Sequence, residues 1–181
     1  NFKIIKFFIL ILIIFSCDSH IKNQDLNLLP SIKNKLFTNE FSNLKPEKIY
    51  QAYSSKNNEL PIRYGYTQEI TKGDSIKSVI DFSIDEKINL DNEGYILKIE
   101  EEKIIIRAKD TAGLFYSFIT LNQIIEDSKN NNTNLPIISI DDFPLLKFRP
   151  IHLDVKHHTE KKSYYFDLID YLAKLKINGI I

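Results

Sequence analysis

"NEGYILKIEEEKIIIRAKDTAGLFYSFITLNQII", residues 92 to 125, changes its hydrophobic period once, and that change decides the fold. Tyr95, Leu97 and Ile99 alternate with Ile96 and Lys98, which is the period of a half-buried strand. A charged stretch at residues 100 to 103 supplies a turn, and the β-branched run at residues 104 to 106 supplies a second strand. From Asp110 onward the spacing lengthens. Leu114, Phe118, Leu121 and Ile125 then line one face of a helix, with Asp110 placed to cap its N-terminus.

Outward from this hairpin and helix, "SVIDFSID" puts Ile80, Phe82 and Ile84 on one side and Val79, Asp81 and Ser83 on the other, predicting a further strand. "SKNNNTN" after the helix reads as an asparagine-rich loop without core residues. Residues 30 to 78 carry weaker patterns, for which only mixed strands are predicted. No shift in composition divides the region up to residue 147, so it is predicted to be one α/β domain, more closely α+β, with a mixed or antiparallel sheet packed by helices. It holds no Gly-rich phosphate loop, no His-Glu-x-x-His helix and no Gly-x-Ser-x-Gly elbow.

The chain has 181 residues, with Lys+Arg and Asp+Glu equal at 24 each, so its net charge argues against nucleic acid as a partner. Its N-terminus reads as an address. Lys3 and Lys6 precede an unbroken apolar run at residues 7 to 15, followed by Ser16 and Cys17. A charged start, a short apolar core and a small residue form a secretory signal, and the run is shorter than the ~20 residues a spanning helix needs. Cys17 is the only cysteine, which excludes a disulfide within the chain and any metal site built on several thiolates. Residues 18 to 29 are expected to be a polar tether.

Near the other end, "PIHLDV" suits a buried strand and "SYYFDLIDYLAKLKI" a helix, with Tyr165, Leu168, Ile169, Leu172 and Leu175 at near-helical spacing and Ser163 as N-cap. "INGII" reads as the start of another strand. Strand, helix and strand at this length form a βαβ unit of the kind that opens a TIM barrel. Residues 148 to 181 are therefore expected to begin a barrel, in a chain whose start on Asn and finish on an uncapped apolar run suggest a fragment. His152 and Asp154, two apart, would share one strand face. A zinc site from His152, His157 and His158 is disfavoured, because adjacent histidines diverge and no ligand-spaced partner follows.

Gly94-Tyr95, Ala108, Gly113, Phe115-Tyr116 and Thr120-Leu121-Asn122-Gln123 resemble, in order, the N-terminal domain of family 20 glycoside hydrolases, the β-N-acetylhexosaminidases. "LPIISIDDFPLLKFRP" is similar to the Asp-x-Pro…Arg segment that leads from that domain into its (β/α)₈ barrel, and "HLDVK" is similar to the hexosaminidase D branch. "IFSC" resembles a bacterial lipobox, which implies lipidation of Cys17 and a cell-envelope location, periplasmic or on the outer membrane. The commoner form of the barrel's first strand has glycine where Pro150 stands and arginine where His157 stands.

The resemblance implies hydrolysis of terminal N-acetylhexosamine from glycans with retention, in which the 2-acetamido oxygen attacks the anomeric carbon. It implies no cofactor. The family's catalytic Asp-Glu pair belongs to the fourth barrel strand, so no catalytic residue is assigned in this chain. Arg149 occupies the position of an arginine that contacts sugar hydroxyls; the competing reading pairs it with an acid at the domain junction. Asp154 is expected to orient a neighbour rather than touch sugar. Two other functions remain open: a different barrel glycosidase sharing this domain, or a surface lipoprotein that binds carbohydrate or protein without catalysis.

Overall fold

The computed structural model describes residues 26 to 46, 80 to 156 and 159 to 181. The signal and Cys17, residues 47 to 79, and His157 and His158 lie outside the described residues.

Five strands form one mixed sheet: β1 (Asn34–Phe41), β2 (Ile80–Ile84), β3 (Tyr95–Ile99), β4 (Ile104–Ala108) and β5 (Pro136–Asp142). Their order is β1-β5-β3-β4-β2, with antiparallel pairs except for the parallel β2 and β4. The hairpin β3-β4 forms as predicted, with Leu97 opposite Ile106 and both fully buried. Alternation explains the register, since a slip of one residue would expose every core side chain of the strand.

One face of the sheet is covered by α1 (Thr111–Asn130), whose Leu114, Leu121 and Ile125 are buried and whose Phe118 meets Phe82 edge-on at 5.6 Å between centroids. Asp110 caps this helix, its side chain accepting from Gly113 N at 2.7 Å. The helix runs into the segment expected to be a loop, because Ser128 is buried and continues its inner face. At the other end of the domain, packing begins before residue 30. Leu26 and Leu28 are buried in the core, so the last part of the expected tether belongs to the folded unit.

After β5 come β6 (Pro150–Ile151), α2 (Lys162–Lys174) and β7 (Gly179–Ile180), with β6 and β7 paired in parallel. The ladder runs on beyond the two short strands, since Ile181 N donates to Ile151 O and Leu153 N to Ile181 O. Of the predicted inner face of α2, Leu172 is buried and Tyr165, Leu168 and Leu175 are half-buried, whereas Ile169 is exposed. Ser163 is not the cap. The helix begins at Lys162, and Lys161 stands before it without a side-chain cap bond.

A junction site built from two ion pairs

The two parts of the chain meet at one end of the sheet, where two cations from the C-terminal segment enter acceptors of the five-stranded domain. Strand period delivers the first acceptor. Pro136, Ile138, Ile140 and Asp142 are the inward residues of β5, so the alternation that buries two isoleucines also puts a carboxylate on the core face. Its cross-strand neighbour is Tyr95.

Lys176 reaches this carboxylate from the end of α2. Its Nζ donates to Asp142 Oδ2 at 2.8 Å and to the Tyr95 hydroxyl at 2.9 Å. Tyr95 donates in turn to Asp142 Oδ2 at 3.0 Å and shares a 2.6 Å bond with Thr120 Oγ1. Asp142 Oδ1 accepts from Lys33 N at 3.1 Å. Every oxygen of this buried cluster therefore has a partner, as a low-dielectric site requires. Burial lowers the Lys176 pKa, with Arg149 adding repulsion, while the Asp142 carboxylate opposes the fall. Burial and the same carboxylate push Tyr95 well above the ordinary phenol.

The backbone around Lys176 shows how it is aimed. Ile177 N donates to Leu172 O and Lys176 N to Ala173 O, the two bonds of a Schellman motif that closes α2. Lys176 sits at the position that favours glycine, with φ 56. A left-handed conformation costs a lysine about 1–2 kcal/mol. The residue is nonetheless lysine, and its side chain supplies the only cation within the Tyr95–Asp142 cluster among the described residues.

Arg149, just before β6, makes the second pair. Its Nη2 donates to Glu93 Oε2 at 2.5 Å and to the Tyr116 hydroxyl at 3.3 Å, Nε to Lys176 O at 2.8 Å, and Nη1 to Leu146 O at 2.7 Å. The guanidinium carbon lies 5.5 Å from the centroid of the Tyr116 ring. Asn178 completes the arrangement, accepting from Arg149 N at 2.7 Å and donating to Glu93 Oε1 at 3.2 Å. Burial, followed by the Glu93 charge, raises the Tyr116 pKa, against the opposing pull of Arg149.

Glu93 is itself fixed by the tight turn ahead of β3. It adopts φ 63, and its N–H donates to Asp110 Oδ2 at 2.8 Å, so one carboxylate caps α1 and anchors the turn. A side chain on Gly113 would collide with the backbone oxygen of Gly94, and the absence of a Cβ there lets α1 approach the turn. The close approach at Gly113 is thus made to the residues that enter the sheet.

Glu93, Tyr95, Tyr116, Asp142, Arg149 and Lys176 share one cleft of about 460 Å³, with Phe143 and Leu145 among its apolar walls. Arg149 thus makes the ion pair that the sequence left as an alternative. Asp154 is exposed and accepts from Lys156 N at 2.8 Å, closing a local turn, and His152 is exposed beside it. No group of three or more His, Cys, Asp or Glu able to hold a metal occurs among the described residues. Sequence reasoning missed Glu93, Asp142 and Lys176. The signal for Asp142 was present, as the fourth inward position of a strand.

Among the described residues, a five-stranded mixed sheet covered by one helix leads through an arginine into a parallel strand-helix-strand segment. Residues 44 to 143, more than half of the chain, match the family model described as glycosyl hydrolase family 20, domain 2, and the chain belongs to that family. It is 25% identical over 118 residues to a β-N-acetylhexosaminidase of Cellulomonas fimi, covering 65% of this chain and 23% of that protein. It is 31% identical over 86 residues to the N,N'-diacetylchitobiase of Vibrio harveyi, covering 48% of this chain and 10% of the relative. The crystal structure of a β-N-acetylhexosaminidase from Bacteroides fragilis NCTC 9343 superposes with a TM-score of 0.51 at 32% identity, over 57% of this chain and 21% of that one. A Flavobacterium johnsoniae chitobiase shares the fold over 86% of this chain and 26% of its own, with a TM-score of 0.62 at 21% identity. The chain spans under a quarter of the length of the Cellulomonas and Vibrio relatives.

Proposed function

We propose that this chain is the N-terminal part of a β-N-acetylhexosaminidase that removes terminal N-acetylhexosamine from glycans by substrate-assisted, retaining hydrolysis. The observation that carries this reading is the family 20 match over residues 44 to 143, followed directly by a parallel strand-helix-strand segment seated on the domain. The named activities of the relatives and of the B. fragilis structure support it. In this reading residues 148 to 181 open the catalytic (β/α)₈ barrel and residues 26 to 147 form the accessory domain. Residues 1 to 17 are a lipoprotein signal, followed by a tether over residues 18 to 25, and Cys17 carries the lipid that holds the enzyme in the cell envelope.

Arg149 would tie the accessory domain to the start of the first barrel strand through Glu93, and Asp154 would orient a neighbour at the C-terminal end of that strand, where barrel active sites collect. The acid that protonates the leaving group and the aspartate that orients the acetamido group would lie on a later strand. The whole enzyme is therefore expected to release nitrophenol from a nitrophenyl N-acetylglucosaminide, and the 181-residue chain alone to release none. Turnover by the isolated chain, or none by the whole enzyme, would refute the reading.

A further inference from the structure

The structure assigns the accessory domain a role in folding: it is a template that docks the first strand-helix-strand unit of the barrel and fixes its register. The inference rests on reading residues 148 to 181 as the opening of a barrel, and deepens that reading. Among the described residues of this unit only Leu172 and Lys176 are buried, while Val155, Phe166, Ile169, Tyr171 and Ile181 stand exposed. One buried apolar side chain and two short parallel strands do not hold such a unit folded by themselves. What holds it is polar, and it comes from the domain before it.

Glu93 makes the join. Its Oε2 accepts from Arg149, the residue before β6, and its Oε1 from Asn178, the residue before β7. One carboxylate therefore grips the entries of both strands. The entries also bond each other, Arg149 N donating to Asn178 Oδ1 at 2.7 Å and Asn178 N to Arg149 O at 3.2 Å. In a closed barrel, strand stagger and tilt are linked, so fixing the first two entries constrains the pairs that follow. Lys176 is the second anchor, in the Tyr95–Asp142 cluster, and Arg149 Nε donates to its carbonyl, which makes the two anchors one network. Glu93 is rigid in turn, held at φ 63 by the Asp110 carboxylate. The last strand of the domain ends at Asp142, ahead of the whole barrel unit, so both acceptors exist before the barrel strands do. Pairing strands that are distant in sequence is slow, and a preformed seat for the first two removes part of that search.

The test uses Glu93→Gln, whose amide offers one acceptor oxygen in place of two and so can hold only one strand entry. In the 181-residue chain, native-state hydrogen exchange at the amides of Leu153, Asn178 and Ile181 should be about tenfold faster than in the wild type, with β3, β4 and β5 unchanged. Asp81→Asn, which breaks the exposed pair with Arg107 at the far edge of the sheet, is the control and should alter neither set. In the whole enzyme, refolding from urea followed by intrinsic fluorescence should slow about tenfold in Glu93→Gln, with unfolding changed by less than about twofold. That is the pattern of an interaction already made at the folding barrier. Unchanged exchange at residues 153, 178 and 181, or equal acceleration in β3, β4 and β5, overturns the docking. Faster unfolding with unaltered refolding overturns the template, since the junction would then form only after the barrel closes. A wild-type enzyme that refolds through this junction yet turns over no nitrophenyl N-acetylglucosaminide overturns the proposed activity and leaves the template standing.

Discussion

Lys176 shows how one residue can be placed against its own backbone preference. A Schellman C′ position with φ 56 favours glycine, and a nearly buried ammonium favours solvent, yet the Asp142 carboxylate and Tyr95 hydroxyl hold the side chain. Breaking a buried pair from one side costs about 3–5 kcal/mol, because the other charge is left without its partner. Lys176→Ala should therefore destabilise the chain by about that much in urea unfolding. Lys176→Gly removes the same ammonium but relieves the left-handed strain, so it should be more stable than Lys176→Ala by about 1 kcal/mol. Equal stability of the two variants would show that the backbone conformation is not under strain.

At the scale of elements, the turn before β3 and the start of α1 behave as one unit because Asp110 bonds both. Its Oδ1 accepts from Gly113 N and its Oδ2 from Glu93 N. Removing an ordinary N-cap costs about 1 kcal/mol, and here a second backbone donor is orphaned as well. Asp110→Ala is thus expected to cost about 2 kcal/mol in thermal or urea unfolding, with Asp110→Asn retaining roughly half of the stabilisation through its one acceptor oxygen. A loss of only about 1 kcal/mol in Asp110→Ala, with Asp110→Asn as stable as the wild type, would mean the carboxylate acts as a simple cap. The cap was legible from spacing alone, since helix period and an acidic residue just ahead of it are local. Its second bond was not, because Glu93 lies 17 residues earlier in the chain.

For the molecule as a whole, the junction makes stability depend on alkaline pH. Tyr95 and Tyr116 have folded pKa values raised by burial, so the unfolded chain, with phenols near pH 10, gives up their protons first. Their contribution is present in full below about pH 10 and is lost as pH climbs through the raised folded values. Lys176 acts in the opposite sense. Its lowered pKa means that the unfolded chain holds the proton longer, so its burial penalty fades as pH rises toward about 10.4. With two tyrosines against one lysine, unfolding free energy should fall above about pH 10. Tyrosine absorbance should show a late-titrating fraction that shrinks in Tyr116→Phe. A fully uniform titration of the folded chain's tyrosines would contradict this.

What the sequence by itself determined is whatever repeats over a few residues: the β3-β4 hairpin, the inner face of α1, the Asp110 cap and the strand-helix-strand order of the last segment. These follow from side-chain period and from bonds between near neighbours, which any short window contains. Even the family was readable, because its signature residues lie on that hairpin and helix. Only the tertiary structure decided that Leu26 and Leu28 belong to the core, that Glu93 and Asp142 receive cations from residues 149 and 176, and that Lys176 is buried while His152 and Asp154 are exposed. Those pairings join residues 34 and 56 positions apart. A charge carries no mark in the sequence of whether water or a distant partner will neutralise it, and that choice is made by burial when the two segments pack.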